Sequence, residues 1–140
     1  MKSIKTTLAA LLFIAVILPW VSCKKESASS NNPTQDKIIG KWKLLSTVTN
    51  DFYTDAPHIT TYTGTAADYA DFRTDGKIYA FINGNYDTSA YAKISNTKMW
   101  IVTTSDTFDI QTLTDTDLKL YRKETYNPGE YYETTITLKK

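Results

Sequence analysis

The chain has 140 residues, with 16 basic and 15 acidic side chains, one histidine and one cysteine. A formal net charge of +1 leaves no excess of positive charge to neutralise phosphates, so the composition argues against a nucleic-acid-binding protein. One cysteine cannot form an intramolecular disulfide, and one histidine among scattered aspartates matches no usual metal-ligand spacing.

The first 22 residues have the three parts of a secretory signal. Lys2 and Lys5 form the basic start, Leu8–Leu18 is wholly apolar, and Pro19 ends any helix before a small residue. A bilayer-spanning helix needs roughly 20 apolar residues, and this run is shorter. Its terminal position and its lack of an amphipathic period also disfavour a buried core helix. The sequence therefore predicts a signal peptide over residues 1–22.

Trp20-Val21-Ser22-Cys23 resembles the lipobox of bacterial lipoproteins, with Trp20 where that family usually has leucine. The resemblance implies cleavage before Cys23 and acylation of Cys23, for example with palmitate. Two or more acyl chains, at about 0.8 kcal/mol per buried CH₂, hold a protein stably on a membrane. The alternatives are a catalytic thiol, for which only His58 could serve as partner, and a buried thiol, which the following "KKES" disfavours.

Residues 23–35 are polar and rich in serine and asparagine, which is typical of a flexible tether. We expect a protein attached by lipid to the bacterial cell envelope at the outer membrane. Surface-facing and periplasmic placement both remain open. Residues 36–140 then form one domain of ordinary size.

This domain is predicted to be all-β. Tyrosine and threonine are abundant in it, and both favour strands. The only helical signal is one turn within "TQDKIIG" at residues 34–40. Turn residues separate eight strand-like segments, at residues 40–49, 68–73, 77–82, 86–94, 98–103, 107–113, 118–125 and 131–138.

After the first strand the connections are short, except for a long segment at Asn50–Ala67. Short connections make successive strands antiparallel neighbours. An eight-stranded meander protects its edges best by closing into a barrel, whose interior holds side chains or one small ligand. The long segment is predicted to be a loop that covers the barrel mouth.

Four segments in order span most of the domain: "IIGKW" at 38–42, "FRTDGKIY" at 72–79, "YAKISNTKMWI" at 91–101 and "TDTDLKLYRK" at 114–123. In order and spacing they resemble lipocalin-like lipoproteins of the Bacteroidetes type. The resemblance implies an eight-stranded antiparallel up-and-down lipocalin-like barrel with a short N-terminal helical turn. It also implies that Trp42 closes the barrel floor, and Arg122 is the best candidate for the cation stacked on it.

Alternation along the strands predicts which side chains point into the barrel. On the sixth segment Met99 and Ile101 are expected inside, whereas Trp100 and Val102 are expected outside. On the first segment Ser46 and Val48 are expected to follow the inward face. The predicted ligand-binding interior consists of Trp42, Leu44, Phe72, Tyr79, Phe81, Ile94, Met99, Ile101, Phe108, Ile110, Leu118 and Leu120.

No catalytic residues, cofactor or metal site are predicted. Two carboxylate pairs, Asp115 with Asp117 and Glu130 with Glu133, are considered because a glycosidase needs two inward carboxyls at a defined separation in a cleft. Asp115 and Asp117 lie in a turn, where aspartate commonly bonds its own backbone. His58 is expected to be a solvated loop histidine. We therefore predict a protein that is not an enzyme.

Two functions follow from a tethered barrel. The first is binding of a small apolar or amphipathic molecule inside it, oriented by a few tyrosine hydroxyls. The alternative is a solid barrel that acts as an interaction or assembly module, with an envelope protein partner held by the long loop and the face around Trp100. The many tyrosines could also form a stacking platform, although ordinary barrel side chains account for them.

Overall fold

A computed structural model describes residues 37–53, 56–102 and 104–140. The predicted signal peptide, Cys23, the predicted tether and most of the predicted helical turn lie outside these residues. Lys37 and Ile38, at the described end of that turn, have helical backbone geometry. In the part of the chain that the structure describes, no helix is long and apolar enough to cross a membrane.

The described domain is all-β, and a closed eight-stranded antiparallel barrel forms its body, as predicted. The strands are β1 (Gly40–Tyr53), β2 (Ala56–Thr63), β3 (Tyr69–Phe72), β4 (Lys77–Ile82), β5 (Asn85–Lys93), β6 (Lys98–Ile101), β7 (Asp106–Leu113), β8 (Asp117–Asn127) and β9 (Glu130–Lys139). β1 pairs with β3, and each strand from β3 to β8 pairs with the one that follows it. β9 then pairs with β1 and closes the barrel.

The long loop predicted at Asn50–Ala67 is not present as such. β1 continues to Tyr53, and Ala56–Thr63 returns beside it as β2, with Ser46 opposite Thr63 and Tyr53 opposite Ala56. The first four residues of β1 pair instead with β3. His58 therefore lies on an exposed strand opposite Asp51 rather than in a loop.

One wall of the barrel is taller than the other. β1, β8 and β9 have 14, 11 and 10 residues, whereas β3 and β6 have four each. The upper parts of β2, β1, β9 and β8 consequently project as a sheet beyond the shorter strands. The mouth of the barrel is therefore slanted, with this sheet as its high side.

A β-bulge at Leu45 changes the inward face of β1. The β1–β9 register shifts between Leu44 and Ser46, and beyond it Thr47 lies opposite Ile136. Ile136 lines the barrel interior, so its cross-strand partner Thr47 shares that face. The predicted inward positions of Ser46 and Val48 are therefore wrong, because one extra residue reverses the alternation.

Gly64 is required where β2 turns toward β3. Its N–H donates to the Leu45 carbonyl at 2.8 Å, and a Cβ at this position would lie 2.1 Å from the Leu44 carbonyl oxygen. No side chain fits at that distance. The bulge and the glycine together hold the corner between β2 and the barrel body.

Candidate functional site

The barrel interior is hollow on its mouth side. A cavity of about 210 Å³ lies between the inner faces of the barrel strands. Most of its wall is apolar, and four polar side chains, Asp87, Ser89, Thr104 and Asp106, complete it. The apolar lining consists of Leu44, Ala70, Phe72, Ile78, Ala80, Ile82, Ile101, Phe108, Leu120, Ile136 and Leu138.

The opposite end of the barrel is closed by Trp42. Its side chain is fully buried, and its Nε1–H donates to the Ile38 carbonyl at 2.7 Å. Lys140 Nζ lies 4.3 Å from the centre of the indole and donates to the carbonyls of Lys37 and Ile39 at 3.0 and 2.9 Å. Trp42 thus forms the floor as the resemblance implied, with a cation stacked on it.

The stacked cation is not Arg122, and that prediction is wrong. Arg122 lies on the inner face of β8, toward the mouth, where it is opposite Thr134. Its guanidinium forms an ion pair with Asp106 and a second with Glu124 at 3.3 Å, and it stacks over Tyr132 at 5.3 Å. Arg122 is therefore a mouth residue and Lys140 is the floor cation.

Most of the predicted interior set is inside the barrel. Ile101 is half-buried and lines the cavity, whereas Trp42, Met99, Ile110 and Leu118 are packed around the floor side without lining it. The buried members of the set are Trp42, Leu44, Phe72, Met99, Phe108, Ile110, Leu118 and Leu120.

Three members of the predicted set are not in the interior. Tyr79 and Phe81 are on the outer face of β4, because Ile78 on the same strand pairs with the buried Phe72. Ile94 lies just beyond the end of β5 and is 59% exposed. The inward residue near that end of β5 is Tyr91, which is buried edge-on against Phe72.

Sequence reasoning missed several interior residues. Ile78, Ala80 and Ile82 line the cavity from β4, where Tyr79 and Phe81 were predicted instead. The segment "KIYAFI" is apolar at both alternate sets of positions, so alternation alone could not choose between them. The register of its hairpin with β3 decides the inward set, because it places Ile78 opposite Phe72.

Outside the cavity, Tyr69, Phe81 and Tyr86 form a partly exposed aromatic cluster on the outer faces of β3, β4 and β5. The ring centres of Phe81 and Tyr86 are 5.5 Å apart, and the hydroxyls of Tyr69 and Tyr86 are within hydrogen-bond distance. Tyr86 is 70% exposed. The hydrogen bond with Tyr86 and partial burial raise the pKa of Tyr69 above its ordinary value. These rings cover the barrel wall rather than line its interior.

Asp68 holds the corner between β2, β3 and β4 without facing the cavity. Its carboxylate accepts hydrogen bonds from Thr65 N at 2.6 Å, from the Tyr62 hydroxyl at 2.7 Å and from Asn83 N at 2.9 Å. The bonds from Thr65 and Tyr62 stabilise the charged form and lower the pKa of Asp68 to about 2. The residue is a structural acceptor that sequence reasoning did not identify.

The carboxylate pairs considered for catalysis are engaged in local bonds. Asp117 lies where the turn enters β8, as predicted, but its carboxylate accepts from the hydroxyls of Thr114 and Thr116 rather than from backbone N–H groups. Glu133 accepts from the Tyr121 hydroxyl at 2.9 Å on the outer face of the barrel. No group of three or more His, Cys, Asp or Glu side chains is arranged to hold a metal within residues 37–53, 56–102 and 104–140.

Comparison with known proteins gives no assignment. No protein-family model matches the chain, and no curated protein is significantly similar to it. The cavity and its polar rim are consequently the features on which a functional proposal rests.

Proposed function

We propose that this protein is a lipid-anchored binding protein of the bacterial cell envelope that holds a small apolar or amphipathic molecule inside its barrel and catalyses no reaction. The apolar cavity of about 210 Å³ carries this proposal. Binding would be driven by removing apolar surface from water, at roughly 25 cal/mol per Å². Thr104 at the rim and the buried Ser89 deeper in the cavity supply hydroxyls that orient the ligand.

The cavity volume limits the size of the ligand. Pockets for drug-sized ligands usually measure roughly 300–1,000 Å³, whereas an engineered apolar cavity of about 150 Å³ in another protein holds benzene. The present cavity lies between these values. We therefore favour a ligand with an apolar body of about one aromatic ring over a long-chain lipid.

Filling the cavity tests the proposal. Ala80 lines it from β4, and Ala80→Phe places a ring in the space that the ligand needs. We expect the full chain to bind toluene saturably and the variant to lose at least about tenfold in affinity, measured by NMR titration. The matched control is Ala92→Phe, because Ala92 lies opposite the outward-facing Trp100 on the barrel wall. Equal binding by all three proteins would refute an internal site.

The lipid anchor has a separate test at Cys23. If Cys23 carries the acyl chains, Cys23→Ser leaves the signal peptide uncleaved at that bond and removes the acyl groups from the protein. Mass spectrometry of the purified chain would detect both effects. A Cys23→Ser protein that is still cut before residue 23 and still sediments with membranes would contradict lipidation.

An interaction module is the second candidate, favoured by apolar side chains on the outer wall. Trp100 and Val102 are 38% and 39% exposed near the cavity-lining Ile101, and Ile94 is exposed below them. For a partner at this face, Trp100→Ala should abolish its capture from envelope extract while leaving the fold and toluene binding intact. Unchanged capture would exclude this face as the partner site.

A further inference from the structure

The rim of the cavity has an unequal distribution of charge. Two of its lining residues are carboxylates, Asp87 and Asp106, and no lysine, arginine or histidine lines it within the described residues. A charged group of a bound ligand would therefore meet negative charge first. This asymmetry bears on which ligands the proposed binding site accepts.

Arg122 does not reverse this balance. It is the cation nearest the rim on the inner face, and its guanidinium is already held by Asp106 and Glu124. Its Nε has no hydrogen-bond partner but is enclosed by protein, so a ligand anion cannot reach it. Two carboxylates around one guanidinium leave negative charge in excess at this side of the mouth.

Asp87 is the carboxylate available to a ligand. It lies opposite the cavity-lining Ala80, so its side chain shares the inner face of β5 with that of Ser89. Within the described residues, the Asp87 carboxylate accepts one hydrogen bond, from Thr88 N at 2.7 Å, and has no ion-pair partner. Asp51, on the inner face of the tall sheet, likewise has no cationic partner among them.

We propose that the cavity selects a small amphipathic cation, with an apolar body of about one ring inside the barrel and an ammonium group at Asp87. This inference rests on the proposed function and specifies the charge of its ligand. The apolar body displaces water from the cavity, while the ammonium gains an opposite charge beside a wall of low dielectric. A carboxylate in the same place would face Asp87 and be repelled.

Three probes of nearly equal shape test the proposal. They are 2-phenylethylamine, neutral 2-phenylethanol and anionic 3-phenylpropanoate, each titrated against the full chain by NMR or calorimetry at neutral pH. We expect the amine to bind about tenfold more tightly than the alcohol, and the acid to bind least. Added salt should weaken binding of the amine and leave that of the alcohol nearly unchanged, because the rim is exposed to solvent.

Removing the charge of Asp87 tests whether this carboxylate causes the preference for the amine. Asp87→Asn should reduce the affinity for the amine by about three- to tenfold without changing that for the alcohol. Asp109→Asn is the matched control, because Asp109 lies on the outer face of β7, where it pairs with Lys98. Equal losses in the two variants would show a long-range effect of net charge and refute a site at Asp87.

The possible failures are distinguishable. If the alcohol binds as tightly as the amine, or the acid binds best, the charge preference is wrong and the apolar binding site stands. If none of the three probes binds and toluene also fails to bind, the internal site and the charge preference both fall.

Discussion

The floor of this barrel is closed, whereas its mouth gives access to a cavity. At the floor, Trp42 is fully buried, hydrogen-bonded to Ile38 and covered by Lys140. At the mouth, short strands end below a tall sheet, and the space between them is lined by Asp87, Asp106 and apolar side chains. The difference suggests that stability is concentrated at one end and that the other end is open to change, which is common where a rigid scaffold carries a binding site.

The largest expected effect is at the floor. Trp42→Ala should lower the free energy of unfolding by about 3–5 kcal/mol, because it empties a large buried volume. Urea denaturation measures this loss. The control, Trp100→Ala on the outer wall, should cost about 1 kcal/mol or less. Similar losses in the two variants would mean that the floor is not the more strongly packed region.

Next in size is the effect at the corner that Asp68 holds between β2, β3 and β4. Asp68→Asn keeps the shape but replaces one acceptor oxygen with an amide that faces a hydrogen-bond donor. We expect the Tm to fall by on the order of 5–10 °C. Differential scanning calorimetry at neutral pH would record it, and an unchanged Tm would show that the three hydrogen bonds add little.

The same carboxylate predicts a pH dependence. The pKa of Asp68 is about 2 in the folded protein, below the ordinary 3.8, so its stabilising contribution is complete above about pH 4. That contribution is lost as the pH falls from about 4 through about 2. The difference in stability between the original protein and Asp68→Asn should therefore shrink over this range. A constant difference would mean that the pKa of Asp68 is not lowered.

A smaller effect is expected at the stacked cation. Lys140→Met should cost about 0.5–1 kcal/mol, because it removes the cation over the indole and two hydrogen bonds to carbonyls. Lys139→Met is the control, since Lys139 is exposed and forms no ion pair or ring contact within the described residues. Fluorescence-detected urea unfolding can resolve this difference. Equal losses of stability in the two variants would show that the Lys140 ammonium does not stabilise the floor.

The smallest effect on stability is expected at the mouth. Asp87→Asn should change the free energy of unfolding by less than about 0.5 kcal/mol, since the carboxylate is exposed and has one local hydrogen bond. If this variant is as destabilised as Trp42→Ala in the same urea titration, stability is not concentrated at the floor.

Strands whose two faces differ in polarity were predictable from the sequence. On β7 and β8, Phe108 and Leu120 alternate with polar neighbours such as Asp109 and Lys119, and both apolar side chains are inside. The tight hairpins were predictable for a different reason. Gly76 and Gly129, for example, have φ values of 76° and 88°, which favour glycine.

The remaining features depend on contacts between distant residues. The bulge at Leu45 leaves no mark in the local pattern, yet it decides which threonines of β1 face inward. The β1–β2 hairpin is not evident from the sequence, because Asn50 and Asp51, which are common turn residues, lie within β1. The choice of Lys140 over Arg122 as floor cation depends on which end of β8 and β9 lies beside Trp42, which residue type alone does not determine.

Closure of the barrel also has a consequence for when the protein can fold. β1 pairs with β9 from Lys43 opposite Lys139 to Phe52 opposite Tyr131, so the first and last strands must meet across almost the whole domain. Contacts so distant in sequence carry a loop-closure cost before they give any stability, and they slow folding. A chain that still lacks β9 has an open β1 edge and no closed interior. Folding is thereby deferred until synthesis has passed the last strand.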